Sequence, residues 1–211
     1  SFFLGADGPQ PRRSLSAETR RPGRRMTLAL VLLTLALSAQ AGSFTLGELM
    51  GALAASAPGV ASFTERKYIS ILDDPVESSG ELRFVPPNRL EKRTLKPQVE
   101  ILVADGDVLT VERKQQTHSV QLKEYPEVAG MIECIRATLA GDQAALERVY
   151  RLDLEGSRDR WALVLTPLDA RVGRVIARVR MEGTRDAVRR VEIQQTGGDR
   201  SVMSVRKGAG P

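Results

Sequence analysis

The sequence predicts a mainly β protein built on one large, strongly bent antiparallel sheet of about eleven strands. Three observations carry that prediction. From Gly42 onward, short runs alternate apolar and polar residues; a turn signal follows almost every run; and helical spacing is confined to two places. Consecutive strands joined by short turns pair with their neighbours, so a single meander is the economical arrangement.

Taken in order, the first element is a helix. Thr45 and Glu48, three residues apart, form a capping-box pattern, and Leu46, Leu49, Met50 and Leu53 make one apolar stripe that ends at Pro58 and Gly59. Strand patterns follow at 60–72, 76–85, 89–95, 99–103, 108–113 and 117–122. They are separated by Asp73-Asp74-Pro75, Pro86-Pro87-Asn88, Pro97 and Asp105-Gly106-Asp107, which supply the fixed or positive φ that turns need. Between 126 and 149 the period changes. Val128, Met131, Ile132, Ile135 and Leu139 recur at helical spacing, Gly141 ends that helix, and Asp142 caps a second one bearing Ala145, Leu146 and Val149. Strands resume at 150–154, 160–167, 175–182, 188–195 and 200–206, with Gly156, Gly183 and Gly197-Gly198 in the turns. A sheet this long curls, and helices against its hollow side either fill the interior or cap it as a lid. Leu82 and Phe84 share one face of their strand, Ile101 and Val103 one face of theirs, and Trp161, Leu163 and Leu165 alternate through a third.

Residues 26–41 read as a cleavable export signal. Arg24 and Arg25 precede an apolar run from Leu28 to Leu37, and Ala39-Gln40-Ala41 gives the small-x-small pattern that a signal peptidase cuts. The run is shorter than the roughly 20 residues a spanning helix needs, so a mature, soluble, non-anchored periplasmic domain at 42–211 is expected. Gly42 follows the cleavage site, where a lipid-anchored protein needs a cysteine. Residues 1–25, rich in Pro, Gly, Ser and Arg, are expected to be upstream or disordered leader.

The export reading changes the meaning of the charge. The chain has 31 Lys+Arg and 26 Asp+Glu, but residues 1–41 hold six Arg against Asp7 and Glu18, so the remainder is near neutral and carries no nucleic-acid footprint. The acidic turn residues Asp73, Asp74, Asp105 and Asp107 are turn formers with no accompanying ligand cluster, so no metal is expected. Nothing resembles a phosphate-binding loop, and no cofactor is expected. Cys134 sits in an apolar pattern and reads as a buried inert thiol; His118, in a polar strand, reads as a surface residue. Glu65 and Glu81 are expected to pair structurally with Lys67 and Arg83. The Arg-rich segment Arg171, Arg174, Arg178, Arg180, Arg185, Arg189 and Arg190 has the charge to meet anionic headgroups or an acidic receptor, but its alternation with Val175, Ala177, Val179 and Met181 equally describes the wet face of a half-buried strand, which is the reading preferred. Catalysis is therefore not expected.

The order of these elements, with Phe63 and Glu65 on the long first strand, the segment Gly80-Glu81-Leu82-Arg83-Phe84-Val85-Pro86-Pro87-Asn88-Arg89-Leu90, Pro97, the hairpin Val103-Ala104-Asp105-Gly106, and Trp161-Ala162-Leu163-Val164-Leu165-Thr166-Pro167, resembles the LolA family of periplasmic outer-membrane lipoprotein carriers, closest to its shorter LolA-related branch. The resemblance implies an unclosed, strongly curved β half-barrel with a helical lid and an apolar cavity for acyl chains. It implies cavity residues Phe63, Leu82, Phe84, Ile101, Val103, Trp161, Leu163 and Leu165, and lid residues Met131, Ile132, Ile135 and Leu139. The implied partners are an acylated cargo, either a lipoprotein or another lipid-like molecule, an inner-membrane exporter as donor and an outer-membrane acceptor, with the carrier itself monomeric. A lipid-sensing or regulatory module of the same fold is the alternative. Typical carriers have an Arg-Pro pair after the second strand, the Arg bonding the lid; Pro86 and Pro87 stand there instead, leaving Arg83 or Arg89 as substitutes.

Overall fold

A computed structural model of the chain describes residues 44–56 and 59–208; the export segment expected at 26–41 and the leader before it lie outside the described residues. Eleven strands form one antiparallel sheet: β1 (Val60–Tyr68), β2 (Val76–Val85), β3 (Arg89–Lys96), β4 (Glu100–Asp105), β5 (Val108–Arg113), β6 (Gln116–Gln121), β7 (Tyr150–Ser157), β8 (Arg160–Pro167), β9 (Ile176–Thr184), β10 (Ala187–Gln195) and β11 (Arg200–Lys207). Their spatial order is β6-β5-β4-β3-β2-β1-β11-β10-β9-β8-β7, so β6 and β7 are free edges and the sheet does not close into a barrel. Two meanders are thus joined at their outer ends, through β1 against β11.

Among the described residues four α-helices accompany the strands, α1 (Leu46–Ala54), α2 (Pro126–Ala140), α3 (Gln143–Val149) and the single turn α4 (Ala170–Gly173), which the apolar periodicity does not announce, with a short 3-10 turn at Leu122–Glu124. Their ends follow local chemistry. The Thr45 hydroxyl accepts from the Glu48 amide and the Glu48 carboxylate accepts from the Thr45 amide, the reciprocal arrangement expected from the sequence. Gly141 ends α2 in the left-handed region at φ 69, and the Asp142 carboxylate accepts from the Ala145 amide to start α3. Among the described residues no helix is long and apolar enough to cross a membrane.

The strand registers divide every side chain between a hollow face and an outer face. Across β2, β3 and β4, Leu82 is opposite Lys92 and Lys92 opposite Leu102, while Phe84 is opposite Leu90 and Leu90 opposite Ala104; these share the hollow face. Across the other half, Leu154, Leu163, Met181 and Val191 stand in one cross-strand row. The helices cover this face unevenly. Over β7 to β10 they pack down on Trp161, Leu163, Leu165, Val179 and Met181, giving the main core with Leu49, Cys134, Leu146 and Tyr150. At the β4–β6 end a smaller cluster gathers Ala104, Leu122 and Ile132.

Two glycines allow the close approaches that the bend requires. A Cβ on Gly183 would lie 2.2 Å from the Trp161 ring, and one on Gly80 would lie 1.9 Å from the Arg93 carbonyl oxygen, beside the β2–β3 register shift.

Candidate functional site

Between the main core and the smaller cluster the hollow face is left uncovered by packing, and a cavity of about 250 Å³ remains. Its roof is Leu53 of α1 with Ile135 and Leu139 of α2; its floor is built by β1, β2, β3, β10 and β11, with Ala61, Leu82, Phe84, Leu90, Val191, Ile193, Met203 and Val205. The floor follows from pairing: Val191 is opposite both Met203 and Met181, Met203 is opposite Glu65, and Ala61 is opposite Leu82. Inward residues from both meanders meet only because β1 pairs with β11, which brings residues about 140 positions apart in sequence into one lining.

One part of the floor is charged. Glu65, 5% exposed, is held by four groups: the Lys92 ammonium and the Ser78 hydroxyl donate to Oε2, the Ser201 hydroxyl donates to Oε1, and the Lys67 ammonium is 4.0 Å from Oε1. Burial pushes this carboxyl up, but Lys92, then Ser201 and Lys67, outweigh it and hold it below the ordinary glutamate range. Lys92 in turn lies over the Phe63 ring, 5.0 Å from its centroid.

The cavity and lid residues expected from the sequence fall in several different places. Leu82, Phe84, Ile135 and Leu139 line the cavity. Phe63 is buried directly beneath Lys92, beside the lining. Trp161, Leu163 and Leu165, expected in the cavity, are instead in the filled core, because α2, α3 and α4 pack onto that half of the sheet; the Trp161 indole N–H donates to the Arg185 carbonyl at 3.1 Å. Ile101 and Val103 are a correction of a different kind. They are opposite Arg93 and Glu91 on β3, and Glu112 and Thr110 on β5, so they belong to the outer face; their neighbours Leu102 and Ala104 look inward. Of the expected lid, Met131 packs against the main core and Ile132 joins the small cluster.

Sequence reasoning missed most of the floor contributed by β10 and β11, and it missed Lys92. Alternation marks Val191 and Ile193, and Met203 and Val205, as inward pairs, but no local signal says which strands they join. Glu65 and Glu81 do not share a face: Glu65 is opposite Ser78 inside, and Glu81 is exposed and opposite Ser62 outside. Lys67 approaches Glu65 as expected, yet Lys92 is its main partner. On β9 the wet residues Arg178 and Arg180 are outside as expected, but a register shift at Gln194 and Gln195 turns Ile176, rather than Val175 and Ala177, inward.

The tie between helix and sheet is also reversed. Arg89 pairs with Asp105 within the sheet and Arg83 is exposed at the cavity rim. The connection comes from α2, where the Arg136 guanidinium, 7% exposed, donates through Nη1 to the Gly106 carbonyl of the β4–β5 turn at 2.9 Å. Its Nε and Nη2 have no partner among the described residues.

His118 is exposed on the edge strand β6, and Cys134 is fully buried, its thiol pushed up to about 12 first by burial and then by Glu133. Among the described residues no group of three metal-ligating side chains gathers.

No curated protein matches the chain in sequence. Among solved structures it is similar to a LolA superfamily protein, NE2245, from Nitrosomonas europaea, with 12% identity over 79% of this chain and 93% of that one and a TM-score of 0.44. It is similar to a putative outer membrane lipoprotein-sorting protein domain from Vibrio parahaemolyticus, at 10% identity over 79% and 92% with a TM-score of 0.42. A chain of a Pseudomonas aeruginosa MucA/MucB complex aligns at 17% identity and a TM-score of 0.40, over 79% of this chain but only 56% of that one. The family described as outer membrane lipoprotein carrier protein LolA-like matches residues 38–209, well over half of the chain, and the protein belongs to that family.

Proposed function

We propose that the domain is a periplasmic carrier that takes the acyl chain of a lipoprotein or lipid-like cargo into the cavity between α1, α2 and the hollow face of the sheet. The supporting observation is the lining itself: a pocket inside a folded domain, roofed by Leu53, Ile135 and Leu139 and floored by aliphatic side chains from five strands, is space that the core leaves unfilled. Each methylene moved from water into it contributes about 0.8 kcal/mol. Transfer then needs only a donor that loads and an acceptor that holds the cargo more tightly, an inner-membrane exporter and an outer-membrane partner in this reading. The two residues best suited to nucleophilic or proton-transfer chemistry are an exposed edge histidine and a buried thiol far above its reactive range, which favours carriage over catalysis.

The test is to purify the protein from the periplasm and analyse an organic extract by mass spectrometry. An acylated species recovered in near-stoichiometric amount is expected. An extract empty of lipid, from protein that also fails to bind an added apolar probe, overturns the reading.

A further inference from the structure

A fold that carries only hydrocarbon has no use for an ion pair on the floor of its cavity. Glu65 and Lys92 both line it, and taking two charges out of water costs more than an apolar floor would. The two partners differ in what they leave open. Both Glu65 oxygens are already occupied by Lys92, Ser78 and Ser201. Lys92 carries three N–H donors, but among the described residues Glu65 is its one hydrogen-bond acceptor, and the Phe63 ring covers one more side. Its side chain, 20% exposed, reaches the cavity space.

We propose that Lys92, held in place by Glu65, is a polar anchor inside the apolar cavity that receives a hydrogen-bond-accepting group, a carboxylate or an ester carbonyl, of a single-chain amphiphile. Glu65 is a positioning residue: it aims the ammonium and, with Lys92 charged, keeps the pair neutral, so that an added carboxylate is bound by hydrogen bonding and by the Phe63-backed cation together. A ligand headed by an ammonium brings only donors, which the Lys92 ammonium has no lone pair to accept, and places like charge beside it, so it is disfavoured. The cavity of about 250 Å³ is just below the roughly 300–1,000 Å³ of drug-sized pockets, which suits one chain rather than two.

The inference rests on the carrier reading, and the test separates them. N-phenylnaphthylamine, an apolar probe without a carboxylate or carbonyl, is bound to the mature protein and displaced by dodecanoate, methyl dodecanoate and dodecylamine, all with the same chain. Dodecanoate and the ester should displace it about tenfold more effectively than the amine, with dodecanoate ahead of the ester if a free carboxylate is the natural group and the reverse order if an ester is. In the neutral pair Lys92→Met with Glu65→Gln, which keeps the shape and removes the buried charges, probe binding should persist while the preference falls to within about twofold. Equal displacement by all three ligands in the wild type, or an unchanged ranking in the double variant, overturns the anchor while leaving the carrier intact. A wild-type protein that binds neither the probe nor any of the three overturns both.

Discussion

At the scale of single residues, Glu65 gives the clearest consequence of burial competing with charge. Its carboxyl is held below the ordinary value of 4.5 in the folded protein, so the unfolded chain binds a proton more readily than the folded one as pH falls. The stability this contributes is fully present above that ordinary value and is lost as the pH drops through the folded value. Removing the cation alone reverses the sign. In Lys92→Met the carboxyl keeps its burial and loses its first compensating partner, so its folded value rises and stability falls as pH increases through it; urea midpoints followed from acid to neutral pH distinguish the two slopes. Two other residues make predictions of their own. The Cys134 thiol, raised to about 12 and fully buried, should resist alkylation in the native protein at neutral pH and react stoichiometrically once urea unfolds the chain. Gly183→Ala should destabilise by about 1–3 kcal/mol, because the added methyl meets both the Trp161 ring and the Ala187 carbonyl and the surroundings must shift away from it; an unchanged urea midpoint would remove that close approach as a constraint on the bend.

At the scale of elements, α2 has two roles along one length. Cys134 and Ala137 are buried in the main core, Ile132 belongs to the small cluster, and Ile135 and Leu139 roof the cavity. A charge at the roof has open space beside it, whereas Leu163 is 0% exposed beneath the same helices. Ile135→Glu should therefore lower stability by several kcal/mol less than Leu163→Glu while weakening retention of an apolar probe, measured as urea midpoint and off-rate in the same samples. If both variants unfold the protein equally, α2 is core along its whole length and no lid exists. The Arg136 tie has a different sign. One hydrogen bond to the Gly106 carbonyl holds a buried guanidinium whose Nε and Nη2 find no partner among the described residues, so Arg136→Met, which keeps the packed stem and removes the charge, should leave the urea midpoint unchanged or raise it. The elements themselves were largely legible in the sequence. Turn residues such as Asp105-Gly106 and the periodicity of 126–149 mark them without tertiary help, and the strands at 76–85 and 108–113 match β2 and β5 residue for residue. The exceptions have local causes: β1 stops at Tyr68 and leaves Ile69 to Leu72 outside the sheet, and the single-turn α4 is too short to show a period.

At the scale of the whole molecule, the lining of the cavity was the part the sequence hid. Whether a strand faces in or out is a one-residue question that alternation leaves open: Ile101 with Val103 and Leu102 with Ala104 are equally apolar sets, and only the register against β3 chooses the second. Whether an inward residue is core or cavity depends on where the helices come down, which put Trp161, Leu163 and Leu165 under α2, α3 and α4 and left Leu82 and Phe84 facing open space. The joint between β1 and β11 is longer in range still, and it alone brings Met203, Val205 and Ser201 to the residues of the first meander. In the proposed carrier this joint encloses the site for an apolar chain, and filling that space should abolish binding. Ala61 faces the cavity from β1, so Ala61→Trp should occupy it from the floor. Isothermal titration of wild type and variant with dodecanoate should show one saturable site in the wild type and none in the variant, whose unfolding free energy from urea titration stays within about 1 kcal/mol of wild type because the ring enters existing space. Binding that survives undiminished in a folded Ala61→Trp protein, or an absence of saturable binding in the wild type, would contradict the proposed site.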